Sequence, residues 1–332
     1  MGRLIKGEWK TDEFVQKSDG GDFKRAEASF RNWVTADGSA GPSGNGGFRA
    51  EAGRYHLYVS YACPWAHRAL IFRKLKGLED MISVSVVHPD MLGGGWSFET
   101  DFDGATGDDL FGADFMREIY LKDTPDVTTR VTVPVLWDKA QGKIVSNESS
   151  EIIRMFNSAF DQLTGNTDDY WPKELRDAIE PVNVRIYDDV NNGVYKSGFA
   201  GSQTAYDTAV TALFEALDWL ETRLSTQRYL MGDRITEADW RLATTLFRFD
   251  PVYHTHFKCN RNFLREMPHL WAYTRELYQW PGIAETVHFD HIVRHYHFSH
   301  ESINPHRIIP INPTLDWSKP HGRESLGGQA AA

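Results

Sequence analysis

The 332-residue sequence has two cysteines, Cys63 and Cys259, too few for the disulfide framework that staples small exported domains. It has no run of about 18 apolar residues, which excludes an ordinary membrane-spanning helix. Its opening residues, Met1–Trp9, lack the long apolar core of a secretory signal, so a reducing cytoplasm is the expected setting. It also lacks positive charge. With 36 basic against 46 acidic residues the net charge is −10, so neither nucleic acid nor a membrane surface is an expected partner. No internal repeat or long low-complexity tract is present. What the chain does have is apolar material, 41% of its residues, enough for a sizeable core in two domains. Aromatic residues make up 13%, with 11 tryptophans, and such rings build either core or pockets for flat ligands.

The most informative stretch is Tyr55-His-Leu-Tyr-Val-Ser-Tyr-Ala-Cys-Pro-Trp-Ala-His-Arg68, a β-type run that ends on Cys63 and passes at once into helix-forming residues. Pro64 suits the first position of a helix, where its fixed φ helps and its missing donor costs nothing. A cysteine at a helix start feels unsatisfied backbone N–H groups and the positive end of the macrodipole, both of which favour the thiolate. A redox pair needs a second cysteine three positions on, and that position is Ala66. This is a one-thiol site, whose disulfides form with a small external thiol or another chain. A lone cysteine is more often buried and inert, which is the reading for Cys259.

Around this stretch the chain divides into a polar, glycine-rich extension (1–50), an α/β domain (51–165), an all-helical domain (170–303) and a tail (304–332). In the α/β domain the pattern predicts strand Tyr55–Ser60, helix Trp65–Lys76 and strand Ile82–Val87, a right-handed β-α-β unit with parallel strands. An insertion rich in Gly and Asp follows, then a helix over Asp114–Lys122. Val131–Asp138 reads as a strand interrupted by Pro134, Ile144-Val145 as a short return strand, and Glu148–Phe160 as a helix, giving β-α-β-α-β-β-α. A proline inside a strand is otherwise excluded, so a cis Val133–Pro134 bond is expected. In the second half, Tyr206 to Leu224 carries an amphipathic stripe, and Thr236-Glu-Ala-Asp239 is a structural capping box that starts a helix ended by Pro251. Further helices are expected at Pro268–Tyr278 and Ile283–Phe298. His291 and His295 are spaced as neighbours on the last of these, but no cysteine or tight carboxylate cluster completes a ligand set, and a solvated histidine-bearing face explains the spacing without a metal.

A thioredoxin-like β-α-β-α-β-β-α half with an appended all-α half resembles the soluble glutathione transferases, through Cys63-Pro-Trp-Ala-His67, Val133-Pro134 and Asn147-Glu-Ser149. Gly95-Trp-Ser-Phe98, Arg130–Asp138, Asn191–Ala200 and Arg248–Tyr253 extend the resemblance over nearly the whole chain to the glutathionyl-hydroquinone reductases, the Xi-class transferases. The resemblance implies glutathione as co-substrate, a small-molecule substrate, no metal, flavin or nicotinamide, and a homodimer. It implies that the Val133 backbone, beside the structural Pro134, pairs with the cysteinyl unit of glutathione. Glu148 and Ser149, at a helix start, suit the ammonium and carboxylate of its γ-glutamyl end. Trp96, Arg130, Val131 and Thr132 are carried over as further glutathione contacts. Tyr195, Tyr253 and Tyr296 are implied to bring hydroxyls around the active sulfur, with Tyr195 exchanging a proton with the substrate ring. The implied reaction is reduction of S-glutathionyl-hydroquinones through a Cys63–glutathione mixed disulfide. An omega-like thioltransferase or dehydroascorbate reductase, or a binding protein that kept the fold without catalysis, are the alternatives.

Overall fold

The structure, a computed structural model, describes residues 2–11, 16–312 and 314–328; the remaining positions of the expected extension and tail lie outside the described residues. The chain forms two compact units. The first takes in Ala26–Asp168, the start of the chain and Asp290–His295; the second takes in a segment ending at Arg25, Asp169–Phe289 and the chain from Tyr296. Among the described residues no helix is long and apolar enough to cross a membrane.

The first unit opens with a hairpin of β1 (Arg3–Ile5) and β2 (Glu8–Lys10). In the second unit β3 (Gln16–Lys17) and β4 (Phe23–Lys24) form another. Then come β5 (Tyr55–Val59), α1 (Pro64–Leu75), β6 (Ile82–Val86), α2 (Met116–Asp123), β7 (Thr129–Arg130), β8 (Val135–Asp138), β9 (Lys143–Ser146), α3 (Ser149–Ser158) and the short α4 (Asp161–Thr164). The main sheet has the order β6-β5-β8-β9. β5 is parallel to β6, as a β-α-β crossover demands, and antiparallel to β8. β5 is buried at every position, and α1 packs on α3. The expected order β-α-β-α-β-β-α is therefore present, with one correction. The run from Val131 to Asp138 is not one strand. Thr129–Arg130 pairs with β1 in a separate sheet, and the chain enters the main sheet only at Val135, beyond the donorless Pro134.

The extension is more ordered than its composition implies. Asn32 N donates to Val145 O at 2.9 Å and Arg31 bridges Ser146, so residues 31–32 cover the outer edge of β9. In the insertion, Asp108 accepts from Leu110 N, Ala113 N and the Tyr58 hydroxyl, each at 3.0–3.1 Å, which pins the loop to β5.

In the second unit the helices are α5 (Arg176–Arg185), α6 (Gly193–Gly198), α7 (Gln203–Leu224), α8 (Glu237–Arg248), the short α9 (His254–His256) and α10 (Pro268–Gln279); of the last helix, α11 (Phe289–Ser299), residues Asp290–His295 belong to the first unit. Pro251 does not end a helix as expected. It sits in a π-helical segment, Phe249–Tyr253, where α pairing gives way around a residue with no N–H donor. A second π segment, Ile186–Asn191, joins α5 towards α6. The expected helix over Ile283–Phe298 is a 3₁₀ turn, Ala284–Thr286, followed by α11, because Val287 between them is extended with φ −104 and ψ 108. The C-terminal segment is anchored by Arg323, which is buried and donates to Glu276, Leu224 O, Gln227 O and Arg228 O.

The capping box at α8 does more than cap. Asp239 is fully buried and accepts from Thr236 N (2.8 Å), Thr236 Oγ1 (3.1 Å), Leu230 N (2.8 Å) and the Tyr273 hydroxyl (2.7 Å). Burial pushes its carboxyl pKa up against those hydrogen bonds. Asp239→Ala strands four buried donors, so unfolding in denaturant is expected to show a loss of about 3–5 kcal/mol. A loss below about 1 kcal/mol would make the cap dispensable.

Candidate active site

Cys63 occupies the N-cap of α1 with φ −75 and ψ 121, and Pro64 follows at the first helical position. His67 N donates to Cys63 O at 3.0 Å, the first turn of the helix. No acidic residue lies in that turn, so nothing there offsets the dipole's pull on an anion. The thiol is in no disulfide among the described residues and is half-buried, and its sulfur lies 3.5 Å from Val133 O, which accepts from it. The Val133–Pro134 bond is cis, as the sequence implies. Ala66, at the resolving position, is buried. Cys259 is a free but buried thiol in the second unit, and burial pushes its pKa well up, so it is inert at neutral pH.

Next to this loop stands an anchor that no sequence pattern announces. The fully buried Tyr120 hydroxyl donates to Thr132 O (3.0 Å) and accepts from Thr132 N (3.3 Å) and Asn147 Nδ2 (3.1 Å). Asn147 Oδ1 in turn accepts from Phe30 N, and Asn147 N donates to Phe30 O, each at 3.1 Å. One phenol thus ties the segment before Val133-Pro134 to the residue before Glu148-Ser149. Glu148 caps α3, its Oε1 accepting from Ser150 N (2.9 Å) and Ser150 Oγ (2.8 Å). The Ser149 hydroxyl is buried and has no hydrogen-bond partner among the described residues. Glu151, one turn on, is held by a bidentate bond from Arg31, at 2.7 and 2.6 Å, which raises the Arg31 pKa. Val131 and Val133 are buried, and Arg130 lies in β7 opposite Arg3.

Trp96 is also buried, and its indole stacks on His295 at 4.7 Å and 23°. This corrects the expectation of a solvated histidine face. His291, His295, His297 and His300 are all buried. In the first unit, His291 Nε2 lies 2.6 Å from Asp103 O and His295 Nδ1 lies 2.8 Å from Pro89 O. In the second, His300 Nδ1 lies 3.0 Å from His256 Nε2. Spacing records which residues share a face of the helix, so it cannot report that these side chains are buried. Among the described residues no group of three His, Cys, Asp or Glu side chains could hold a metal ion.

The second unit brings the three tyrosines together. Tyr195 Oη lies 2.6 Å from Tyr296 Oη, which lies 3.0 Å from Tyr253 Oη. Tyr253 and Tyr296 are fully buried, and burial pushes both phenols well above their usual pKa, so both are protonated at neutral pH. Tyr195, in α6, is only half-buried. Each hydroxyl can donate or accept, and the three together form one proton-bearing cluster.

This arrangement, a lone N-cap cysteine beside a cis-proline loop in a thioredoxin-like sheet with a separate helical unit, is that of the glutathione transferases. Family models described as glutathione S-transferase, N-terminal domain and C-terminal domain match residues 62–159 and 203–276. The sequence is 58% identical over 324 residues, 98% of this chain and 99% of the other, to the glutathionyl-hydroquinone reductase YqjG of Escherichia coli K12. Among solved structures, the glutathione-bound YqjG of E. coli K-12 superposes with a TM-score of 0.91 at 56% identity, covering 97% of this chain and 99% of that one. A Xi-class transferase from Natrialba magadii gives 0.90 at 49% identity, covering 99% and 98%. The chain belongs to the glutathionyl-hydroquinone reductase family, the Xi-class glutathione transferases.

Proposed function

We propose that this protein is a glutathione-dependent reductase of S-glutathionyl-hydroquinones. The observation that carries the reading is 58% identity, spread over 98% of the chain, to a glutathionyl-hydroquinone reductase. The Cys63 thiolate attacks the glutathione sulfur of the substrate, the aryl carbon–sulfur bond breaks, and the carbon takes a proton from Tyr195. Free hydroquinone leaves and Cys63 is left as a mixed disulfide with glutathione. A second glutathione thiolate attacks that disulfide, releasing oxidised glutathione and the Cys63 thiolate, and its proton restores Tyr195. Sulfur carries both electrons, so the kinetics are ping-pong.

In this proposal residues 51–165 bind glutathione. The Val133 backbone holds the cysteinyl unit, Glu148 and Ser149 the γ-glutamyl end, and Trp96, Arg130, Val131 and Thr132 the remainder. The buried Ser149 hydroxyl supports this, since a donor without a partner costs about 1–3 kcal/mol unless a ligand oxygen receives it. Residues 170–303 supply the tyrosines, and Tyr253 and Tyr296 sustain the Tyr195 proton through their hydroxyl chain. The protein acts as a homodimer in the cytoplasm, its mass in solution to be read by light scattering.

Turnover of glutathionyl-hydroquinone compared with dehydroascorbate tests the function. Preference for the aryl thioether by about 10²-fold or more in kcat/KM is expected. The reverse preference would make the chain an omega-like dehydroascorbate reductase, and turnover of neither would leave a binding protein.

A further inference from the structure

The hairpin of β3 and β4 lies outside both stretches matched by the transferase family models, and it is seated on the helix that carries Tyr195. Gly201 N donates to Gly21 O at 2.9 Å, and Ser202 Oγ donates to Gly20 O at 2.8 Å. At Gly21, φ is +90 and a Cβ would meet the Gly201–Ser202 backbone at 3.0 Å, so only glycine allows the approach. Beyond the turn, the Phe23 ring stacks towards Tyr195 at 6.4 Å and 25°. The Arg25 guanidinium carbon then lies over the Tyr195 ring, 4.8 Å from its centre. Arg25 Nε donates to Asn192 Oδ1 at 2.5 Å, which fixes the head group from the segment just before α6.

We infer that Arg25 is a positioning residue for proton transfer by Tyr195, holding a cation over the ring from which the proton leaves. This rests on Tyr195 being the proton donor. When the Oη–H bond breaks, the proton goes to the aryl carbon and the electron pair stays on the phenol oxygen, so negative charge spreads into the ring. A guanidinium over the ring face attracts the neutral phenol and attracts the charged one more strongly. It therefore favours the transition state over the ground state. The same contact keeps the ring in the orientation that places its hydroxyl 2.6 Å from Tyr296. The aromatic neighbours Phe199 and Phe257, at 6.3 and 5.3 Å, line Tyr195 but supply no charge.

The test uses the full chain with Arg25→Gln, Arg25→Met and Arg25→Lys, each alone and combined with Tyr195→Phe. Glutathionyl-hydroquinone turnover and exchange with a simple glutathione mixed disulfide are measured side by side. Arg25→Gln and Arg25→Met are expected to lower kcat for the hydroquinone by about tenfold with KM little changed. Exchange at sulfur should be unaffected, because no carbon is protonated. Arg25→Lys should recover most of the loss by restoring the charge. In the Tyr195→Phe background, Arg25→Gln should cost nothing further, whereas a merely structural role would persist there. Unchanged kcat in Arg25→Gln and Arg25→Met, equal losses in both assays, or an undiminished loss on top of Tyr195→Phe would overturn the inference. If Tyr195→Phe alone leaves hydroquinone turnover intact, the proton-donor reading fails first and takes the Arg25 role with it.

Discussion

Cys63→Ser lowers hydroquinone release by about 10³-fold or more, because a neutral hydroxyl is a poor nucleophile toward sulfur and cannot form the mixed disulfide. Glutathione affinity, measured calorimetrically, should change little. The proposed contacts at Val133, Glu148 and Ser149 are made by other side chains and by backbone. Intact mass of the wild-type chain after incubation with oxidised glutathione should show one glutathione at Cys63. No link to Cys259 is expected, since burial holds that thiol protonated and Ala66 occupies the resolving position. Retained turnover in Cys63→Ser, or a Cys63–Cys259 disulfide as the working intermediate, would sink the one-thiol mechanism.

Tyr195→Phe lowers kcat for glutathionyl-hydroquinone by about 10²-fold, the loss expected when a general acid is removed. The same variant keeps its rate of exchange with a simple glutathione mixed disulfide, because that step releases a thiolate and leaves no carbon to protonate. Tyr296→Phe separates the proton chain from packing. It removes the hydroxyl 2.6 Å from Tyr195 while keeping the ring, so it should slow the hydroquinone reaction and spare exchange if the chain supplies the proton. Equal losses in both assays would instead make the tyrosines supporters of the Cys63 thiolate. No loss for Tyr195→Phe in either assay would leave it as packing within α6.

The parts of this protein that were legible from the chain are those with short-range causes. Cys63-Pro64 announces a strand running into a helix because proline is tolerated at the first helical position and little further in. The alternation from Tyr55 and the β-α-β spacing announce a parallel pair, since a helix of that length carries the chain back to start the next strand in the same direction. Val133-Pro134 announces an interrupted ladder, and Thr236 with Asp239 announces a helix start, each within a few residues.

What the chain did not announce is long-range. Tyr195 and Tyr296 are hydrogen-bonded although 101 residues apart, and before the helices pack each reads as ordinary aromatic core. Tyr120 reaches Asn147 across 27 residues from a helix whose buried face looks like any other. The histidines of α11 read as solvated because spacing along a helix records which residues share a face, not what covers it. Arg25, in a polar glycine-rich stretch with no periodicity, gains its place only once Gly21 lets the hairpin close on Gly201. The sequence by itself therefore determined the thiol, the cis-proline loop, the sheet that holds them and the family. Tertiary structure alone decided which hydroxyls, rings and cations meet, because hydrogen bonds and ring contacts act over a few ångströms of space regardless of how many residues separate the partners.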